Sequence, residues 1–139
     1  MFIKGIDMRR TLIIAILLMP FFIKAQEFFL GDKREMISDA MKSGNTPLVQ
    51  SDLTDDGRYA FDIYALNENN RLVFYFESDD VCTLIAHIMA NSMLVPAIRD
   101  LGERFRKYSD NEWISHDLRT LVKLNVGTEF FTVVYESVD

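Results

Sequence analysis

Two segments of the chain place apolar residues at helical spacing. In residues 32–43, Ile37 and Met41 fall four residues apart on one face, and Gly44 stands where a helix C-terminal cap belongs. In residues 96–107, a proline occupies the first helical position and basic residues collect towards the end. The pattern predicts one helix over Asp32–Ser43 and a second over Pro96–Lys107.

The remaining chain alternates apolar and polar residues, or runs apolar, in the manner of strands. Pro47 assigns the first of these segments to a sheet edge, because proline cannot donate to a central ladder. The connections inside each group are only a few residues long, too short for a parallel crossover, so the strands are expected to pair antiparallel. The predicted strands are Thr46–Asp52, Arg58–Leu66, Arg71–Glu77, Val81–Met89, Glu112–Ser115, Leu118–Asn125 and Glu129–Ser137.

This order of elements predicts an α+β domain. We expect a single antiparallel sheet of five to seven strands with two helices packed on one face, in the order α-βββ-α-βββ. Residues 66–78 read LNENNRLVFYFES and residues 124–137 read LNVGTEFFTVVYES, so both run Leu-Asn, turn, apolar strand, Glu-Ser. The match raises the hypothesis of an internal duplication into two helix-plus-three-strand halves.

The N-terminal residues have the order of a secretory signal. Arg9-Arg10 precede the apolar run Leu12–Ile23, and the small residue Ala25 follows. This run is shorter than the roughly 20 residues that cross a bilayer, so we predict a cleavable signal peptide over residues 1–25 and no permanent membrane span after cleavage. A single domain over residues 26–139 would then be periplasmic or secreted. Met8 is an alternative start residue.

Charge and cysteine content narrow the classes of function. Of 15 basic and 21 acidic residues, the predicted signal peptide holds four and one, which leaves 11 basic and 20 acidic residues. A domain with this excess of acidic residues is repelled by the phosphate backbone of nucleic acids, and we therefore expect no nucleic-acid partner. One cysteine excludes an intramolecular disulfide and a cysteine-built zinc site. We predict that Cys82 is buried, on the same strand face as Leu84, Ala86 and Ile88.

The candidate chemistry is sparse. Residues 52–57 resemble a calcium loop, but the third and twelfth EF-hand positions, counted from Asp52, are Thr54 and Ile63 and lack a carboxylate. His87 and His116 lie too far apart in sequence to indicate a zinc site. Ser115, His116 and Asp117 are the residue types of a hydrolase triad, but neighbours on a strand point to opposite faces. We therefore predict no catalytic residue, no metal and no cofactor, and expect that the protein is not an enzyme.

The strands carry many aromatic residues, and some of them are candidates for binding. We expect Tyr64, Tyr75 and Trp113 on the outer face of the sheet, next to charged residues such as Asp62 and Glu77. Exposed tyrosine and tryptophan bordered by charge are typical of a binding patch. The alternative is an open sheet face with scattered aromatics.

The start of the predicted domain resembles a known class of exported modules. The helix opening Gly31-Asp32-Lys33-Arg34-Glu35-Met36, followed by antiparallel strands, is similar to small periplasmic modules of the SmpA/OmlA and beta-lactamase-inhibitor-protein kind over roughly residues 28–90. Those modules often carry a Gly-Lys-Pro-like turn, where this chain has residues 43–47, and the outer-membrane members carry a lipidation cysteine, which is missing here. The resemblance implies a protein-binding scaffold without catalysis and assigns no site residue.

Together these features predict an exported, non-enzymatic binding module of the bacterial envelope. It would recognise a protein or another envelope component through the outer face of the sheet. The alternative is a domain that holds a small apolar, lipid-like ligand between the sheet and the second helix.

Overall fold

The computed structural model describes residues 29–138 of the chain. The predicted signal peptide, residues 1–25, lies outside the described residues. Within residues 29–138 the structure has two α-helices, α1 and α2, and eight strands, β1–β8. A 3-10 turn, Asn91–Met93, leads into α2. The elements in chain order are α1 Arg34–Ser43, β1 Leu48–Leu53, β2 Ala60–Asn67, β3 Asn70–Phe76, β4 Cys82–Ala90, α2 Leu94–Arg104, β5 Arg106–Ser109, β6 Glu112–Ile114, β7 Thr120–Val126 and β8 Phe130–Ser137.

All eight strands form one antiparallel sheet in the order β1-β2-β3-β4-β8-β7-β6-β5. The predicted fold class is therefore wrong. The protein is mostly β, with eight strands and two short helices, rather than an α+β domain of five to seven strands in the order α-βββ-α-βββ. Within the described residues, each helix is followed by four strands and not three.

The strand missing from the prediction is β5, whose first two residues, Arg106 and Lys107, lie within the predicted second helix. The helix ends at Arg104 because Phe105 adopts an extended backbone, with φ −126° and ψ 162°. The following residues pair with β6, Arg106 opposite Ile114 and Lys107 opposite Trp113. Of the basic residues in this segment, Arg104 ends the helix, whereas Arg106 and Lys107 belong to an edge strand.

The sheet order also changes the hypothesis of internal duplication. From one edge to the centre the strands follow as β1, β2, β3 and β4, and from the other edge as β5, β6, β7 and β8. Strands β4 and β8 therefore occupy equivalent positions at the centre of the sheet. The matching sequence segments instead contain β3 and β8, which are not equivalent in this arrangement. The match is explained by a shared hairpin pattern, since a turn followed by an apolar strand recurs in both.

One face of the sheet forms the hydrophobic core with the inner sides of both helices. Ile37 and Met41 of α1, and Ala97 and Leu101 of α2, belong to the same buried cluster as the strand residues. The strand residues of this cluster are Tyr64, Leu72, Phe74, Phe76, Cys82, Ile85, Met89, Trp113, Val122, Leu124, Phe131, Val133 and Tyr135. This side of the sheet is called the packed face below, and the opposite side the open face.

A buried ion pair fastens α1 to the packed face. Asp62 is 4% exposed, and both of its carboxylate oxygens accept hydrogen bonds from Arg34, that from Nε at 2.9 Å. Ser51 Oγ donates a third hydrogen bond to Asp62 at 2.6 Å. The Asp62 hydrogen bond raises the pKa of the Arg34 guanidinium above its ordinary value. A charged residue is thus tolerated on the packed face because its lone pairs are satisfied.

Candidate functional site: a groove on the open face

The open face of the sheet contains a groove of about 910 Å³ along its three central strands. The groove is open to solvent, and no element of the described chain covers it as the helices cover the packed face. Sixteen residues line it: Gly31, Thr54, Tyr59, Val73, Tyr75, Glu77, Val81, Cys82, Thr83, Leu84, Ala86, Ile88, Thr132, Val134, Glu136 and Ser137. Most of the side chains from β3, β4 and β8 in this set are aliphatic or small.

The floor of the groove is apolar and deeply set. Val73 of β3 is 4% exposed and Ala86 of β4 is 7% exposed, and these two residues are cross-strand neighbours. Val134 of β8 lies opposite Ala86 on the other side. An antiparallel sheet with one solvated face normally places polar residues there. Here the central strands are apolar on both faces, which is typical of a surface that another molecule covers.

A β-bulge at the start of β4 determines which side chains reach this floor. Phe76 pairs with Cys82 while Tyr75 pairs with Leu84, so Thr83 is the extra residue. The bulge shifts the alternation by one position. Cys82 therefore belongs to the core cluster and also borders the groove, whereas Leu84 and Ala86 line the groove and are not part of that cluster.

The prediction for Cys82 is therefore right in part. Its side chain is 1% exposed, and burial raises the pKa of its thiol to about 12. The residues expected on the same face, Leu84, Ala86 and Ile88, instead line the groove, and Ile85 and His87 face the core. A strict alternation, which ignores the bulge, places them on the wrong side.

Aromatic side chains lie along one end of the groove. Tyr75 lines it, and its ring centroid is 5.9 Å from that of Phe61 on the neighbouring strand. Tyr59, from the loop between β1 and β2, lines the groove as well, with the Arg58 guanidinium 5.4 Å from its ring centroid. Tyrosines next to an aliphatic floor provide rigid, amphipathic contact area, the composition of an interface core.

The three predicted binding residues, Tyr64, Tyr75 and Trp113, do not lie on the same face of the sheet. Tyr75 lies on the open face, as expected. Tyr64 is 2% exposed and packs edge-on against Phe74 at 5.7 Å, and Trp113 is 3% exposed, so both belong to the core. Their expected placement on the outer face is wrong. Tyr64 shares its strand face with Asp62, which is buried beside Arg34, and Trp113 lies opposite the buried Val122. Burial also raises the pKa of the Tyr64 hydroxyl.

The charged residues that line the groove are both acidic. Glu77 is exposed at the end of β3, and Glu136 lies near the end of β8. Lys123 of β7 approaches Glu136, with Nζ 2.9 Å from Oε1, and this contact raises the pKa of Lys123. Among the described lining residues there is no Lys or Arg. The groove therefore combines an aliphatic floor with carboxylates at one end.

The residues considered for catalysis or metal binding do not form a site. His87 is fully buried on the packed face, where Nε2 contacts Asn70 Oδ1 at 2.5 Å and Nδ1 has no hydrogen-bond partner among residues 29–138. Ser115 Oγ donates to Asp117 Oδ1 at 2.6 Å, which forms a local turn and not a triad with His116. Across residues 29–138, no group of three or more His, Cys, Asp or Glu side chains is placed to hold a metal ion.

The acidic segment before β2 is also a turn. Asp56 Oδ1 accepts hydrogen bonds from Thr54 Oγ1 at 2.6 Å and from the Arg58 backbone N–H at 3.0 Å. These hydrogen bonds, that from Thr54 first, lower the pKa of Asp56. The carboxylate is thereby committed to the loop that carries Tyr59 to the groove.

Comparisons of the chain with protein-family models, with curated proteins and with solved structures find no match. The resemblance to small exported modules stays a prediction. In the part of the chain that the structure describes, neither helix has the length and apolar composition that crossing a bilayer requires. The groove on the open face could have been found from one sequence signal, the nearly continuous apolar character of β3 and β4.

Proposed function

We propose that this protein is an exported, non-enzymatic binding module of the bacterial cell envelope. It recognises a protein or another envelope component through the groove on the open face. The observation that carries this proposal is the apolar floor of the groove, where Val73 and Ala86 lie in a concave surface that neither of the two described helices covers. A concave apolar surface with a few polar groups at its margin is the usual form of a binding site.

The composition of the groove favours a protein partner over a small lipid-like ligand. A fatty acid or an anionic phospholipid would bring its head group near Glu77, whose carboxylate repels it, while the carboxylate of Glu136 is already paired with Lys123. The groove is also open along the sheet rather than enclosed between the sheet and α2, where the alternative function required a cavity. A segment with apolar side chains and a flanking basic residue matches both the floor and the carboxylates.

The location follows from the N-terminal sequence. Arg9-Arg10, the short apolar run and Ala25 support export and cleavage before Gln26. In the periplasm or outside the cell, a single buried cysteine such as Cys82 needs no partner thiol.

A binding experiment with matched variants tests this function. A purified protein of residues 26–139 is used to capture partners from an envelope extract, and each captured partner is then titrated against Tyr75→Ala and Tyr108→Ala. Tyr75 lines the groove, whereas Tyr108 is an exposed tyrosine on β5. We expect Tyr75→Ala to weaken binding by about 30-fold, the effect of an interface hot spot, and Tyr108→Ala to leave it unchanged.

Two results would contradict the proposal. Equal binding by both variants would place the contact outside the groove. A small apolar molecule that co-purifies with the wild type and is lost in Tyr75→Ala, as seen by native mass spectrometry, would establish the lipid-like alternative instead.

A further inference from the structure

Within residues 29–138, no strand pairs with the outer side of β1, so this strand is a bare edge of the sheet. All six of its residues are exposed, and the large apolar residues Leu48, Val49 and Leu53 are 50%, 48% and 58% exposed. Asp52 is its single charged residue. Proteins normally protect a sheet edge by short length, lysine, inward charge or a covering segment, because free backbone groups recruit other strands.

The backbone of β1 is oriented to accept another strand. The Thr54 N–H donates to the Tyr59 carbonyl at 2.8 Å, which fixes the alternation of the β1–β2 ladder. The backbone N–H and carbonyl of Asp52, opposite Phe61, therefore point towards β2. The backbone groups of Ser51 and Leu53 point away from β2, to the side of β1 that pairs with no described strand, called the free side below. The Leu53 N–H donates a hydrogen bond to the Asp52 carboxylate at 2.8 Å. Of Ser51 and Leu53, the free side therefore retains both backbone carbonyls as acceptors and the Ser51 N–H as a donor.

The hydrophobic layer of the packed face is incomplete at this edge. Leu48 lies opposite the buried Tyr64, and Leu53 lies opposite Ala60, which packs against the core. Both leucines thus point to the side of the sheet that the helices cover, yet each remains about half exposed. A ninth strand beside β1 would place apolar side chains against these two residues and extend the layer.

The opposite edge shows the protection that β1 lacks. Strand β5 has only four residues, two of which are Arg106 and Lys107. Lys107 lies across the buried Trp113, with Nζ 4.7 Å from the ring centroid. A bare edge is therefore not a general property of this sheet.

Charge decides what kind of strand β1 can accept. Residues 29–90, which include β1, hold 11 acidic and 5 basic residues, a net charge of −6, whereas residues 91–138 hold 7 acidic and 6 basic residues, a net charge of −1. Two copies joined through β1 would bring the two strongly acidic halves together. A basic segment is attracted to the same edge.

We infer that the β1 edge binds an extended segment of a basic partner protein, which adds to the sheet as a ninth strand. Aliphatic side chains of the segment pack on Leu48 and Leu53, and its basic side chains face the acidic half of the domain. This site is separate from the groove, so the function proposed for the groove does not depend on it.

The test uses defined peptides and residues 26–139 of the protein. The probe is a fluorescein-labelled ten-residue peptide of alternating valine and lysine, and the matched peptide replaces each lysine with glutamate. Binding is measured by fluorescence anisotropy, and the contact is mapped by amide chemical shifts. We expect the valine-lysine peptide to bind at least ten times more tightly than the valine-glutamate peptide, with the largest shifts at Ser51 and Leu53.

Paired variants separate the edge from non-specific attraction. The double variant Leu48→Asn and Leu53→Asn removes the apolar contacts without changing charge, and Val95→Asn with Leu118→Asn does the same at two similarly exposed residues elsewhere. We expect the first pair to weaken binding of the valine-lysine peptide at least tenfold and the second to leave it unchanged. If the first pair unfolds the protein, the shift map of the wild type decides alone.

Three outcomes would overturn the inference. The first is an absence of binding or equal binding of both peptides. The second is an equal loss in both double variants, or shifts centred away from β1. The third is self-association of the wild type in sedimentation that Leu48→Asn and Leu53→Asn abolish, which would assign the edge to a second copy of this chain.

Discussion

The packed face and the open face of this sheet are both apolar, but they exclude water by different means. On the packed face, residues such as Phe74 and Val133 are buried beneath two helices. On the open face, Val73 and Ala86 are nearly as buried, although the groove above them is open. Both residues line the groove, and no residue of the two described helices is among the residues that line it. The comparison shows that low exposure alone does not identify the core of this protein.

The largest expected difference between the faces is in aromatic truncation. Trp113→Ala removes a core side chain that is 3% exposed, opposite Val122, and should lower the free energy of unfolding by about 3–5 kcal/mol. Tyr75→Ala, on the open face, should cost no more than about 1 kcal/mol, since its ring is partly exposed. Urea denaturation of both variants measures the difference. Similar losses in the two variants would mean that the open face also supports the fold.

The second largest difference is expected in the stability that an ion pair contributes on each face. Asp62→Ala leaves the Arg34 guanidinium without its carboxylate on the packed face and should cost about 2–3 kcal/mol, towards the lower range for a buried pair because Arg34 is partly exposed. Glu136→Ala breaks the exposed contact with Lys123 and should cost about 0.5 kcal/mol or less. Equal effects would show that the burial of Asp62 contributes little.

The smallest of the three effects is the loss of stability at moderately acidic pH that the protonation of His87, on the packed face, causes. Burial lowers the pKa of His87 to about 3, whereas the unfolded chain titrates near 6.5. Below pH 6.5 the unfolded state binds a proton that the folded state does not, so stability is full above pH 6.5 and is lost as the pH falls towards 3. The loss is about 1.4 kcal/mol per pH unit, or about 2 kcal/mol between pH 7 and pH 5.

His87→Leu should remove this component of the pH dependence in urea titrations at pH 7 and pH 5. The matched variant is His116→Asn, whose side chain is exposed in the folded chain, and it should retain the wild-type slope. A wild-type slope that His87→Leu leaves unchanged would show that the acid sensitivity arises from other groups.

Most individual elements of the fold could be predicted from periodicity, because hairpin turns and apolar runs are local signals. Strands such as β3 and β8 lie within one residue or so of their predicted bounds. The end of α2 could not be placed, since Phe105 and the basic residues after it suit a helix as well as an edge strand. The order of the strands is a non-local property, and no local pattern specifies that β4 pairs with β8.

The faces of the strands could not be assigned from alternation alone. Strand β2 is apolar at Phe61 and Ile63 and polar at Asp62, so a charged residue seemed to mark the solvent side. The assignment depends on Arg34, 28 residues earlier in the chain, which pairs with Asp62. In β4 the bulge at Thr83 reverses the alternation within two residues. Because both faces are apolar, the pattern itself does not distinguish the groove from the core.

The central pairing of β4 with β8 has a consequence for how the chain folds. Each of the other neighbouring strand pairs consists of strands that are consecutive in sequence, so two four-strand meanders can form from short loop closures. Ile85 and Tyr135, by contrast, pair across 50 residues of chain. Contacts of such long range form late, because the entropy of closing the intervening chain is lost before the contact is gained. Until that step, the edges of β4 and β8 remain unpaired in the folding chain, and this interval is when the protein is most vulnerable to aggregation.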